Sequence, residues 1–396
     1  MSEMFRRAAI LGLLSAVGPF AIDMYLPAMP QIAASLGTDV AGTQATLIAF
    51  FVAFGLAQLV YGPWSDAAGR RVPLLAGLAL YVAASAAAAM APDIATLTAA
   101  RAVQGFGAAV VMVIPRAVIR DWSTGTEATR LMAMVMLVIS VSPMLAPLAG
   151  SAVIWLADWR AIFWTMVAAG IASILVTALA LPETLPAAGR RAIAPRRLVH
   201  DAGRLLRHRE FMLLTFVGAF GTASFFVFIA SASFVYTGQF GLSPTGFSLA
   251  FAVNAAAFFA ASQLAANAGA RWGMGAVIRG ATGGFAAFAL LLLALDLAGA
   301  APLAVVIALL AAGNFCLGLV IPSVMVLALD DQGEVAGLAS SLGGTLQMVT
   351  GAAIVAAAGP FFDGTATPML AAIALCGVAC AALARMAAPQ SAAAVT

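Results

Sequence analysis

Charge is what these 396 residues lack: 9% are Asp, Glu, Lys or Arg, against 63% hydrophobic residues. Soluble domains carry roughly 25% charged residues, so a water-soluble globule is excluded and the bilayer becomes the expected solvent, in line with a mean hydropathy of +1.05. Lysine is absent; all 19 basic residues are Arg, which with the abundance of Ala reads as a mark of a GC-rich genome and has no mechanistic weight. The three cysteines, Cys316, Cys376 and Cys380, lie in apolar stretches. Cys376 and Cys380 share a helical face and read as packing residues rather than a disulfide or a metal site. The two histidines, His200 and His208, fall in the most polar segment and are expected to face solvent, so no metal centre is expected. Gly-rich pieces such as 280–284 lack the Lys-Ser/Thr of a phosphate loop, which excludes an ATPase of that type. No cleavable signal peptide is expected, because the first apolar stretch is full length and precedes no small-residue cleavage site.

What is present is a series of long apolar runs. A spanning helix needs about 20 predominantly apolar residues. Breaking the chain at charges, Pro and Gly gives spans near 8–30, 43–62, 72–91, 95–119, 129–154, 160–181, 210–236, 244–268, 274–297, 301–329, 335–358 and 366–386. The reading is an all-α membrane protein of twelve transmembrane helices in two six-helix bundles, 1–181 and 210–396. Residues 182–209 form a basic linker that holds Arg190, Arg191, Arg196, Arg197, Arg204, Arg207 and Arg209. Its last part intersperses Leu198, Val199, Leu205 and Leu206 among the cations, the pattern of an amphipathic surface helix. With the N-terminus inside, Arg6, Arg7, Arg70, Arg71, Arg130, the linker cluster, Arg271 and Arg385 are all cytoplasmic. Only Arg160 is left outside, beside Asp39, Asp93, Asp158, Asp296 and Asp363. By the positive-inside rule both termini are expected in the cytoplasm.

Within this apolar chain one carboxylate stands out. Asp23 lies in the first hydrophobic run, Gly18-Pro19-Phe20-Ala21-Ile22-Asp23-Met24-Tyr25-Leu26-Pro27, where a charge costs about 3 kcal/mol on insertion scales. Asp23 is about 15 residues into its helix, hence about 22 Å deep. Arg101 is about six residues below the opposite start of the fourth helix, and in a ~30 Å core that puts it at the same level. Burial and a neighbouring guanidinium act in opposite senses on a carboxyl's hold on its proton. Asp23 is therefore expected to be the protonation site and Arg101 its electrostatic modulator; a fixed Asp23–Arg101 ion pair that only ties two helices together is the competing reading.

Several motifs then carry a resemblance. Six plus six helices around a basic linker is the plan of the major facilitator superfamily. Gly62-Pro63-Trp64-Ser65-Asp66-Ala67-Ala68-Gly69-Arg70-Arg71, between the second and third helices, resembles that superfamily's cytoplasmic loop signature, with Ala67 where an Arg is usual. The resemblance implies a gate in which Gly69 makes the turn and Asp66 pairs with Arg there, with Arg120 and Asp121 as partners from the fourth helix. Arg101-Ala102-Val103-Gln104-Gly105-Phe106-Gly107 resembles the second signature, and Pro143-Met144-Leu145-Ala146-Pro147-Leu148-Ala149-Gly150 the antiporter motif of drug/proton exporters. Asp23-Met24-Tyr25-Leu26-Pro27, Leu181-Pro182-Glu183-Thr184-Leu185 and Ala336-Gly337-Leu338-Ala339-Ser340-Ser341-Leu342-Gly343 look like the bicyclomycin/chloramphenicol-resistance branch.

The resemblance implies a proton-coupled antiporter that exports antibiotic-like small molecules across the inner membrane: not an enzyme, without a cofactor, driven by the proton gradient. Tyr25, Gln104, Phe220, Phe225, Phe228, Asn254, Asn314 and Gln347 are the expected substrate contacts, the aromatics for stacking and the amides for hydrogen bonds. A lipid-facing or core position is the alternative for each Phe, and interhelical bonding for each amide. Related multidrug members carry a second acid two turns before Asp23, where Ser15 stands here, which favours a neutral or zwitterionic substrate. The expected partners are drug, protons and the lipid bilayer, with no nucleic acid, and the chain is expected to act as a monomer. Two other readings stay open: a proton-coupled transporter of an endogenous metabolite such as a sugar or amino acid, and a transport-dead sensor.

Overall fold

The computed structural model describes residues 3–123, 125–190, 194–330 and 332–387; Arg191 of the linker lies outside them. The described residues contain twelve helical segments long and apolar enough to cross a membrane, and no strand. The chain divides into two compact units, Met1–Pro195 and Arg196–Thr396. The first unit holds spans Glu3–Ser35, Val40–Ala68, Arg71–Ala89, Ile94–Trp122, Gly125–Leu156 and Arg160–Ala180. The second holds Arg209–Gln239, Pro244–Trp272, Met274–Leu297, Leu303–Asp330, Ala336–Phe361 and Ala366–Met386. All twelve apolar runs are therefore helices, most of them longer than the apolar window. The second span continues through Gly62–Ala68, so most of the expected loop motif is helical and only Gly69 and Arg70 make the turn.

Polar residues at the ends act as caps, which satisfy N–H groups that have no partner in the first helical turn. Asp39 accepts from the Gly42 N–H at 2.7 Å, Asp93 from Thr96 at 2.8 Å and Ser243 from Gly246 at 3.1 Å. His208, exposed as expected, also caps: its Nδ1 accepts the Phe211 N–H at 3.1 Å and starts the seventh span.

Two spans of the first unit are interrupted. The first consists of helix Glu3–Asp23, a 3-10 turn Leu26–Ala28 and helix Met29–Ser35. Pro27 and Pro30 explain the break: without an N–H they cannot donate to the carbonyls of Asp23 and Leu26 one turn back. The fourth span breaks at Ala109, between Ile94–Ala108 and Val110–Trp122. In the second unit, the seventh span ends in a π turn, Val235–Gln239. Pro143 and Pro147 do not interrupt the fifth span, which stays one helix from Gly125 to Leu156.

The helices pack through small residues, as membrane helices do where lipid offers no hydrophobic drive for association. Gly105 of the fourth span lies directly on the backbone of Phe50 in the second; a methyl there would overlap the Phe50 carbonyl and sit 3.0 Å from its Cα. In the second unit Gly318 of the tenth span meets Phe258 of the eighth in the same way, and a methyl would sit 3.1 Å from the Phe258 carbonyl carbon and 2.8 Å from Ala261 Cβ. We expect Gly105→Val and Gly318→Val each to destabilise the protein by at least about 1–3 kcal/mol, the usual cost of overpacking. Gly280→Val, which faces open space, serves as the neutral control, and thermal unfolding in detergent reads all three.

Candidate functional site

The break in the first span sets the site. Asp23 is the last residue of helix Glu3–Asp23 and is 3% exposed. Among the described residues no hydrogen bond or ion pair reaches its carboxyl. Arg101, fully buried, comes within two residues of it along the chain and stops there: Nη1 donates to the Ala21 carbonyl at 2.9 Å and to Gln104 Oε1 at 2.6 Å. A cation at the last turn of a helix meets the negative end of its dipole, so this placement stabilises the broken end. The Arg101 guanidinium is also held between two rings, 4.7 Å from the Tyr25 centroid and 4.4 Å from that of Phe50. Its other edge, Nε and Nη2, has no hydrogen-bond partner among the described residues. The structure thus brings Arg101 to the Ala21 carbonyl, two residues before Asp23, and among the described residues no ion pair joins the two.

Tyr25 and Gln104 are engaged by protein. The Tyr25 hydroxyl is 2.8 Å from Thr46 Oγ1, its ring packs on Phe163 at 5.8 Å, and Arg101 covers a face. Gln104 Nε2 donates to Ser85 Oγ at 2.7 Å and to Met166 Sδ at 3.4 Å. Both therefore build the Arg101 clamp in this conformation rather than present themselves to a ligand. Of the antiporter motif, Gly150 does the most visible work: it lies against the Met24 carbonyl, a methyl would overlap that oxygen, and Pro27 Cγ would be 3.1 Å away. The motif's Pro143 and Pro147 lie in the same helix, which packs chiefly on the first span.

The loop motif is organised by Arg70 rather than Asp66. Arg70 Nε and Nη2 reach the two Asp121 oxygens at 2.8 and 3.2 Å, while Nη1 donates to Asp66 at 2.5 Å and to Ser65 Oγ at 2.9 Å. A planar fork that binds one carboxylate with two donors is a geometry Lys does not offer. Arg120, expected as a partner, forms no ion pair among the described residues; Asp121 alone serves. Gly69 turns with φ +92, in the left-handed region that Gly occupies without steric cost. Gly62 stands clear of neighbours, and its carbonyl accepts from Ser65 Oγ at 3.0 Å. Arg71 donates through Nη2 to the Ala178 carbonyl at 2.8 Å.

The residue that sequence reasoning missed is Glu183. Its carboxylate accepts the N–H groups of Arg70 (2.8 Å), Arg71 (3.2 Å) and Leu185 (3.0 Å), an anion on the start of the third span where the dipole favours it. The adjoining Thr184 hydroxyl donates to Asp121 at 2.7 Å, so the segment after the sixth span closes the motif. A carboxylate two residues beyond an apolar run, facing a helix start that lacks its own capping side chain, was the available signal.

In the second unit the expected residues separate. Asn314 Nδ2 donates to Asn254 Oδ1 at 3.2 Å, and Asn254 Nδ2 to the Ala250 carbonyl at 3.0 Å; the two amides bond the eighth span to the tenth. Phe228 stacks on Phe251 at 5.6 Å, with Phe225 6.1 Å from the same ring. Phe228 and Asn314 also line one pocket together with Ser224, Phe285, Leu310 and Ile373. Phe220 packs on the core formed by Leu214, Val217 and Val320, and Gln347 lies half-buried beside Gly218.

Residues 11–356 match the model of the Major Facilitator Superfamily. The chain belongs to that superfamily. It is 35% identical over 370 residues to the uncharacterized MFS-type transporter YdgK of Bacillus subtilis, covering 93% of this chain and 91% of YdgK. It is 28% identical to a bicyclomycin resistance protein homolog of Haemophilus influenzae over 93% of this chain and 92% of the relative. With a chloramphenicol resistance protein of Pseudomonas aeruginosa the identity is 34%, over 68% of this chain and 64% of the relative. Among solved structures, a D-xylose-proton symporter superposes with TM-score 0.75 over 98% of this chain and 99% of the other at 14% identity, a likeness of fold. These relatives agree with the transporter class and with the resistance branch that the motifs resemble, and the chain is a multi-pass membrane transporter rather than an enzyme.

Burial alone would raise the Glu183 carboxyl's pKa, but the N–H donors of Arg70, Leu185 and Arg71, with the Arg190 charge, hold it below the ordinary 4.5. A folded-state value below the unfolded one contributes stability above 4.5 that is lost as pH falls through the folded value. We therefore expect the stability gap between wild type and Glu183→Gln to be full near neutral pH and to shrink in acid, read by detergent unfolding across pH.

Proposed function

We propose that this chain exports a neutral or zwitterionic antibiotic-like molecule, of the phenicol or bicyclomycin type, across the bacterial inner membrane in exchange for protons, with both termini in the cytoplasm. The observation that carries the reading is the state of Asp23: enclosed, at the carbonyl end of a broken helix, and without a counter-charge among the described residues. An ionised carboxylate there meets the negative end of the helix dipole and loses several kcal/mol of hydration with nothing to replace it. A proton is the partner such a site can take and give up.

In the proposed cycle, drug enters from the cytoplasm while Asp23 is ionised or displaces its proton, and protons from outside reload Asp23 as the drug leaves. Arg101, held at the Ala21 carbonyl two residues before Asp23, modulates the exchange. The Arg70–Asp121–Glu183 cluster braces the turn between the second and third spans, the motif that the resemblance assigns to the gate. A potential worth about 2.3 kcal/mol per charge per 100 mV lets one proton support a substantial gradient of a neutral drug. The resistance proteins among the relatives support the substrate class.

The test is drug-induced proton release from purified protein across a panel of chloramphenicol, florfenicol and bicyclomycin. We expect release from wild type and none from Asp23→Asn, with resistance of expressing cells lost in step. Release that persists in Asp23→Asn places the proton elsewhere. Silence from both, with uptake of a sugar or amino acid in proteoliposomes, replaces the drug reading with the metabolite one.

A further inference from the structure

Val199 and Leu206 are 73% and 46% exposed yet lie outside every membrane-spanning segment. They belong to the linker helix Pro195–Arg207. At 3.6 residues per turn its apolar residues share one side. Leu205, at one edge of that side, is buried against the protein with 1% exposure, while Val199 and Leu206, at the other edge, are uncovered. Next around the helix come Arg196 and Arg207, then Arg204, all exposed. Arg197 has a carboxylate nearby, Asp201 at 3.7 Å; among the described residues Arg196, Arg204, Arg207 and Arg209 have no ion pair.

The helix is also tethered where a membrane surface must be. It ends at Arg207, and the seventh span begins at Arg209. The one residue between them, His208, has an extended ψ of 104 and caps the span through its side chain. A helix one residue from a spanning segment is kept within reach of the interface.

We propose that this linker helix docks on anionic phospholipid headgroups: Val199 and Leu206 enter the acyl boundary, and Arg196, Arg204, Arg207 and Arg209 take the phosphates. An apolar strip bordered on its uncovered edge by cations is the form of an interfacial helix, and the charge complements a leaflet that carries anionic lipid. The inference rests on the spans alone and holds for any substrate.

The test uses the full chain in nanodiscs of phosphatidylcholine alone and of phosphatidylcholine and phosphatidylglycerol in equal parts. A fluorophore is placed at Val199→Cys after Cys316, Cys376 and Cys380 are changed to Ser, and quenching by lipids spin-labelled near the headgroup is read. Each Arg at an anionic surface favours docking about fivefold. Replacing Arg196, Arg204 and Arg207 together by Gln therefore shifts the docked-to-undocked ratio about a hundredfold, if the effects multiply. We expect strong quenching with phosphatidylglycerol, reduced by the triple replacement or by high salt. A label at Leu175→Cys, on the sixth span, should be quenched equally in both discs. Equal quenching of the Val199 label in both discs, unchanged by the triple replacement, overturns charge recognition; no quenching in either overturns docking. Should the cysteine-free protein fail to fold, backbone hydrogen exchange over 195–207 in the unaltered chain reads the same difference: slower exchange with phosphatidylglycerol is expected, and identical exchange overturns the proposal.

Discussion

Hydrocarbon leaves no water to satisfy a backbone carbonyl, and the first unit is arranged around one place where the backbone needs help. Pro27 removes the donor that would have continued the first helix past Asp23. The helix end that results is covered by two devices from other spans. Arg101 brings a guanidinium to the Ala21 carbonyl, and Gly150 brings a helix without side-chain bulk against the Met24 carbonyl. The second signature and the antiporter motif therefore converge on the same interruption. Tyr25, Phe50, Gln104 and Ser85 then fix the guanidinium from its faces and its Nη1 edge, so its orientation is set before any ligand arrives.

The charges of the first unit fall into two groups with opposite habits. At the turn between the second and third spans, Arg70, Asp66, Asp121 and Glu183 lie outside or at the edge of the apolar layer and are densely bonded to one another. At the break, Asp23 and Arg101 lie deep and are kept apart. Dense bonding makes a structural lock, because removing any member strands the others. Separation does the reverse: it leaves a carboxyl whose charge state no partner fixes. The same residue types thus give a bonded lock in one place and an unpaired carboxyl in the other.

The spans were legible because long apolar runs admit no other structure in lipid, and the arginine distribution divided them into two sets. Asp23 was legible because it is the only acid deep within an apolar run. The facing of side chains was less so. A helix apolar on all sides carries no periodicity, so nothing in the sequence told whether Tyr25 and Gln104 turn toward a ligand or toward Arg101, or that Asn254 and Asn314 bond to each other. Glu183 was quoted as part of a motif, yet its role depends on a turn more than a hundred residues earlier. The break itself was written in Pro27, four residues after Asp23, and reading the missing N–H as an orphaned carbonyl would have found it.

The glycine–carbonyl contacts of Gly105 and Gly318 carry a further consequence. Phe50 with Gly105 joins the second and fourth spans, and Phe258 with Gly318 joins the eighth and tenth, each pair six spans from its counterpart. The corresponding turn of the second unit keeps Gly269, Arg271 and Gly273 but has no acid matching Asp66. The halves still resemble each other in where no atom beyond hydrogen fits. Kinship between the halves is thus recorded in steric exclusion, a property that drift in polarity does not erase, and an alignment of the two halves should be anchored on these glycines rather than on the charges.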